Sequence, residues 1–179
     1  VVAEINAEAG RQVAHAYRGD TTDEAFRASV FDSISSEYDT VTMCVPAAGI
    51  TRDDLAVRID KMTGKARIYP VERFRQVIDV NLTGALVCSR EAVRRMSRST
   101  GGQGGSIVLV SSRASQYGSP GEHVWYAASK GGIDSLAIGL AREVGAQGIR
   151  VNAVSPGPIR TDIHVPGKLD AISGALPMR

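Results

Sequence analysis

Apolar and polar positions along this chain follow two different periods in alternating blocks. Ile107, Val108, Leu109 and Val110 form an unbroken apolar run that stops at Ser111 and Ser112, the pattern of a central strand buried on both faces. Residues 40–45 (TVTMCV) and 150–155 (RVNAVS) read as further strands, and another is expected over residues 12–17. Between them the spacing turns helical. Phe26, Val30, Phe31 and Ile34 recur at three and four positions behind the capping cluster Asp20-Thr21-Thr22-Asp23, and residues 1–9 read as the tail of a helix with Gly10 as its C-cap. A long helix is predicted over residues 71–97 from Phe74, Val77, Ile78, Leu82, Leu86, Val87 and Met96, and another carries Ile133, Leu136, Leu140 and Val144. Alternating strands and helices imply right-handed crossovers and a parallel sheet with helices on both faces. The expected class is therefore α/β, a doubly wound parallel sheet in a three-layer sandwich.

Three places interrupt the rhythm. Residues 50–69 (ITRDDLAVRIDKMTGKARIY) are a polar insertion in which two short runs joined through Thr63-Gly64 fit a small hairpin, and a solvated loop fits as well. Asn81 sits inside a helix among apolar neighbours, where its amide competes for backbone hydrogen bonds and lowers helix propensity, so its presence needs a reason. Gly101-Gly102-Gln103-Gly104-Gly105 reads as a flexible surface turn; no Lys-Ser/Thr follows it, so it is not a phosphate loop. With no internal repeat or linker, residues 1–179 are expected to form one domain that contains the 50–69 insertion.

Composition narrows the class without naming a chemistry. The 179 residues are 43% hydrophobic and 22% charged, with a net charge of +2, which argues against a disordered chain and a nucleic-acid binder. No apolar run reaches the roughly 18 residues of a membrane helix and no signal peptide opens the chain, so a cytoplasmic location is expected. Cys44 and Cys88 read as buried free thiols, and His15, His123 and His164 lack zinc spacing, so no metal is expected.

The candidate chemistry lies just past the central strand. Tyr126 and Lys130 are four positions apart in a helical pattern and so share one face. A phenol ionises near 10 in water, and a neighbouring ammonium favours the phenolate, so such a pair can exchange a proton. Ser112, at the strand end, can hydrogen-bond a substrate oxygen held for that proton. Asp20, Gly49, Ser112 and Pro156-Gly157 all fall at C-terminal ends of predicted strands, the edge at which doubly wound sheets bind ligands. His123 and Trp125 flank Tyr126, and His123 reads as a capping or surface residue.

Together, Asn81 in VNLTG, Ser112, Tyr126 and Lys130 in VLVSS…YAASKGG, and IRVNAVSPGPIRTDIH resemble the short-chain dehydrogenase/reductase family, in particular its sugar- and alcohol-dehydrogenase-like members. The resemblance covers nearly the whole chain apart from residues 50–69. It implies hydride transfer between a carbonyl or alcohol and NAD or NADP, with Asn81, Ser112, Tyr126 and Lys130 as the catalytic set. Tyr126 would exchange the proton, Ser112 would position the substrate oxygen, and Lys130 would lower the Tyr126 pKa and hold the nicotinamide ribose. Asn81 would hold a water that links Lys130 to solvent. The same resemblance places Asp20 and Thr21 against the adenine, lets the backbone at Ala48 and Gly49 approach the cofactor, and sets Pro156, Gly157, Ile159 and Thr161 beside the nicotinamide along with Tyr126 and Lys130. It further implies a homodimer or homotetramer built on the helices that bear Asn81 and Tyr126.

Four departures accompany the resemblance. Fourteen positions separate Ser112 from Tyr126, one more than is usual, so Ser111 is the alternative in another register. Pro46-Ala47-Ala48-Gly49 replaces the family's Asn-Asn-Ala-Gly. Residues 50–69 are extra and either reshape the substrate mouth or form a surface flap. The N-terminal Gly-rich turn and the last helix and strand have no counterpart, so a fragment or truncated relative is expected, with apolar edges of the sheet uncovered. The alternatives are a non-catalytic scaffold of the same fold, unable to bind the dinucleotide alone, and a sugar-nucleotide epimerase, which shares Tyr-x-x-x-Lys.

Overall fold

The computed structural model describes residues 1–38, 40–119, 121 and 123–159. Helix α1 (Val2–Ala9) ends on Gly10, whose φ of 64° is left-handed and whose N–H donates to Ala7 O, the C-cap expected from the sequence. Residues 12–17 then form no ladder: the side chain of Asn6 takes their polar groups instead, accepting from Val13 N and Ala14 N and donating to Ala14 O. A strand is held by its partner, and among the described residues this segment has none. In α2 (Glu24–Tyr38) the Asp23 carboxylate accepts from Phe26 N at 3.1 Å, an N-terminal cap of the predicted kind.

Three parallel strands make the sheet, in the order β1 (Met43–Cys44), β4 (Gly105–Val110), β5 (Ile149–Val154). Between β1 and β4 the insertion forms an antiparallel hairpin, β2 (Val57–Ile59) and β3 (Ala66–Ile68), so the hairpin alternative holds. Next come α3 (Val71–Ile78), one π turn (Asp79–Thr83) and α4 (Gly84–Met96) as a continuous helix. A short α5 (Ala114–Tyr117) and the long α6 (Val124–Val144) lie between β4 and β5. Strand β1 is shorter than predicted: only Met43 and Cys44 pair with β4.

Burial divides the sheet by face. Ile107 and Leu109 of β4 are fully buried and join Met96 of α4, Ile133 and Val144 of α6 and Ile149 of β5 in one core. Phe31 and Ile34 of α2 pack onto it, so α2, α4 and α6 cover this face. On the opposite face Met43 and Val45 are 76% and 57% exposed and Val154 is 44% exposed, while Val108 and Val110 are half-buried. The unbroken apolar pattern of these strands predicts cover on both faces; among the described residues one face is covered. Cys44 and Cys88 are free thiols, and burial, then the nearby Cys88, pushes Cys44 up to about 12.

The glycine run before β4 is not the loose surface turn its composition suggests. Gly104 is buried with φ 83°, and a Cβ there would overlap the carbonyl oxygen of Gly148. At Gly105 a Cβ would lie 2.7 Å from Thr42 O. These glycines let β4 enter the sheet against its neighbours.

Candidate active site

The π turn explains Asn81. Widening the helix by one residue per turn turns its amide inward, where it is 1% exposed, and such turns cluster at functional sites. Its Oδ1 accepts from Ile50 N at 2.8 Å, and its Nδ2 donates to Ile50 O and to Ser129 Oγ, both at 3.0 Å. Asn81 thus ties the loop after β1 to α6. Both of its amide protons are used by protein acceptors, so the side chain braces the loop against the helix.

Helix α6 can approach this turn closely because Gly132 carries no side chain: a Cβ there would lie 2.7 Å from Leu82 Cδ2. On its N-terminal side α6 presents Tyr126 and Lys130. Lys130 is 5% exposed, and its Nζ donates to Val110 O at 2.6 Å, at the C-terminal end of β4. Burial lowers the ammonium's pKa below its ordinary value, and Asp134 opposes that shift. Its other two N–H groups have no acceptor among the described residues.

Ser112 acts on the Tyr126 phenol, lowering its pKa, and its Oγ accepts from Ala114 N at 3.2 Å. Ser111 is turned elsewhere, its hydroxyl donating to Lys130 O at 3.2 Å. Of the two serines, Ser112 is the one that the phenol feels. Burial raises the Tyr126 pKa above its ordinary value; Ser112 pulls it down, and Tyr117 and Asp53 push it up. Lys130 Nζ lies 5.7 Å from the ring centroid and is engaged with the strand carbonyl.

The remaining predicted positions lie around this centre. Gly49 faces it directly: a Cβ there would lie 3.5 Å from Asn81 Oδ1 and 3.8 Å from Lys130 Nζ, so any side chain would occupy the space before the ammonium. Pro46, Ala47 and Ala48 form the loop that leads to it. Asp20 accepts from Thr22 N and Oγ1, both at 2.8 Å, and with Thr22, Ile50, Val80 and Thr83 it lines a cleft of about 610 Å³. Thr21 O accepts from the buried Arg27. Pro156 follows β5, and its carbonyl accepts from Arg113 N at 3.0 Å, which holds the Pro156–Gly157 loop beside the Ser112 loop. Ile159 is exposed. Thr161 and residues 162–175 lie outside the described residues.

Sequence reasoning missed the wall beside Tyr126. His123 is not a side-chain cap; its ring stands edge-on to Tyr126, centroids 5.3 Å apart. Trp125, 6% exposed, stacks on Tyr69 from the end of the insertion. An aromatic residue closing a polar insertion was the available signal.

Cofactor fit can be judged from these groups. A buried ammonium with two N–H groups unmet among the described residues, a side-chain-free approach at Gly49, and a cleft lined by the neighbouring Ile50 and by Asp20 suit the ribose hydroxyls and the body of a dinucleotide. Among the described residues no helix is long and apolar enough to cross a membrane.

Known proteins agree with this geometry. A family model described as enoyl-(acyl carrier protein) reductase matches residues 1–173. An uncharacterized oxidoreductase, YgfF of Escherichia coli (strain K12), is 43% identical over 166 residues, which is 90% of this chain and 64% of that protein. A 3-oxoacyl-[acyl-carrier-protein] reductase of Synechocystis sp. is 31% identical over 166 residues, 91% of this chain and 60% of that protein. The crystal structure of a short-chain type dehydrogenase/reductase from Mycobacterium marinum superposes with a TM-score of 0.78 at 28% identity, covering 97% of this chain and 63% of that one. The chain thus spans a little under two thirds of each. With the Rossmann-type sheet, the Ser112, Tyr126 and Lys130 cluster and a family match over nearly its whole length, the chain belongs to the short-chain dehydrogenase/reductase family of oxidoreductases.

Proposed function

We propose that this chain carries the catalytic part of a nicotinamide-dependent oxidoreductase that interconverts a carbonyl and an alcohol, with Tyr126 as proton donor or acceptor. The observation that supports it most is the convergence of Ser112, Tyr126 and Lys130 at the C-terminal end of β4, braced by Asn81. Asp20 and Thr21 would hold the adenine end of the dinucleotide and Ala48 and Gly49 its middle. Lys130, Tyr126, Pro156, Gly157 and Ile159 would hold its nicotinamide end, to which the family resemblance also assigns Thr161. When bound, NAD or NADP supplies or accepts the hydride.

The residues handle the proton. Ser112 orients the substrate oxygen towards the Tyr126 hydroxyl, and the phenol donates its proton to that oxygen as negative charge develops there. A phenol lifted above its ordinary pKa stays protonated at neutral pH, the form that carbonyl reduction requires. Lys130 lies one helical turn away, and its remaining donors would hold ribose hydroxyls. Exposed Leu86 on α4 and Ile138 on α6 suit a homodimer or homotetramer. The similarity to a 3-oxoacyl reductase makes a 3-oxoacyl thioester a reasonable first substrate, with keto-sugars and simple ketones beside it.

The test is Tyr126→Phe in the full-length protein. Consumption of NADH or NADPH with a turned-over carbonyl substrate is expected to fall by about 100-fold or more, with cofactor affinity unchanged. Unchanged turnover would remove Tyr126 from the chemistry. Absence of both cofactor binding and turnover in the unaltered protein would leave the non-catalytic scaffold.

A further inference from the structure

The 50–69 insertion is fastened to the turn of α6 that carries Tyr126. Trp125, the chain's single tryptophan, donates from Nε1 to Arg52 O at 2.8 Å. The Tyr69 hydroxyl donates to the same carbonyl at 2.9 Å, and the Tyr69 and Trp125 rings stack with centroids 3.5 Å apart and planes at 17°. The first and last turns of the insertion therefore meet on one side chain. A second point of contact is Asp53, whose Oδ1 lies 3.5 Å from His123 Nδ1. His123 is 14% exposed in its side chain, and its ring is the one set edge-on against Tyr126.

The hairpin is itself stiffened. Arg58 and Arg67 face each other across the ladder, and the Asp54 carboxylate bridges both, at 2.9 Å and 2.6 Å, which offsets a like-charged cross-strand pair. The contacts from the insertion bear on the first turn of α6, through Trp125 and through His123 at its N-cap position.

We propose that the insertion is a clamp on the proton donor, with Tyr69 on Trp125 and Asp53 on His123 holding the first turn of α6, so that Tyr69 and Asp53 are positioning residues for the reaction. This rests on the reading of Tyr126 given above. The groups that face Tyr126 are Ser112 from the loop after β4, Tyr117 from α5, Lys130 and His123 from α6 and its entry, and Asp53 from the insertion. Removing the Asp53 charge takes away an influence that raises the phenol's pKa.

The experiment uses the full-length protein and two readouts, Trp125 emission and the pH dependence of turnover. Tyr69→Ala is expected to shift Trp125 emission to the red and to lower kcat by about tenfold or more through misplacement of Tyr126, with cofactor affinity unchanged. Tyr69→Phe keeps the stack and should retain the native emission and most of kcat. Asp53→Asn should move the pH limb set by Tyr126 to lower pH. Unshifted emission in Tyr69→Ala would overturn the clamp, and so would a red shift with unaltered kcat and pH profile, which would mark a surface flap. Turnover that survives in Tyr126→Phe sinks the functional reading instead, while the emission arm still reports on the clamp.

Discussion

Replacing Asn81 with alanine probes the joint on which the site hangs. The amide makes three hydrogen bonds of 2.8, 3.0 and 3.0 Å, two of them to the backbone of Ile50 and one to Ser129. Ser129 keeps a partner, because its hydroxyl also donates to Tyr126 O at 2.7 Å. Ile50 does not keep one from Asn81, and its N–H and C=O are left facing a half-buried interior. Each such group costs about 1–3 kcal/mol when unsatisfied, and partial access to water puts both at the lower end. Alanine regains about 0.5 kcal/mol of helix propensity. The expected loss is therefore about 1.5–2.5 kcal/mol, or roughly 3–10 °C in Tm for a chain of this size. Urea unfolding of the full-length protein, followed by far-UV circular dichroism, measures it. A loss below about 0.5 kcal/mol, which is usual for substitutions that break no specific interaction, would show that the π turn and the loop after β1 are held by something other than this amide.

Two further substitutions test the frame and the electrostatics. Gly104→Ala places a side chain at φ 83° against the Gly148 carbonyl, and a loss on the order of 2–3 kcal/mol in the same unfolding assay is expected; a loss below about 0.5 kcal/mol would mean that the turn before β4 shifts freely. Lys130→Met removes an ammonium whose pKa burial holds below its ordinary 10.5. Between the lowered folded value and 10.5 the unfolded chain binds more protons, so Lys130 makes stability rise with pH in that window and fall as pH drops through the folded value. The stability difference between the native protein and Lys130→Met should therefore climb across that alkaline window, and a flat difference would contradict the burial argument.

What the sequence could and could not show follows from where the information lies. Short-range signals read well where they were local: Gly10 caps α1, Asp23 caps α2, and Ile133 and Val144 of α6 are buried as their spacing predicts, whereas on α4 the predicted Leu86 is exposed and the smaller Ala85, Ser89 and Ala92 are buried. Ser112, Tyr126 and Lys130 were legible because a strand end and a helical i, i+4 pair are local patterns. Asn81 was visible as an anomaly, but that a π turn resolves it depends on Ile50, thirty-one positions away. Residues 12–17 and the ends of β1 read as strands because apolar content records what a strand prefers and not whether a partner lies beside it. The glycines at 101–105 looked flexible because composition does not report that Gly148 lies against Gly104. The Tyr69 stack on Trp125 joins residues fifty-six positions apart in a direction no periodicity encodes.

The central claim, that these residues form a nicotinamide site around Tyr126 and Lys130, is tested most directly by titrating NADH and NADPH into the full-length protein and following the fluorescence of the reduced nicotinamide. The account predicts saturable enhancement with at least one of the two, preserved in Tyr126→Phe and weakened in Lys130→Met, which removes the ribose donor. No saturable signal with either cofactor would contradict it.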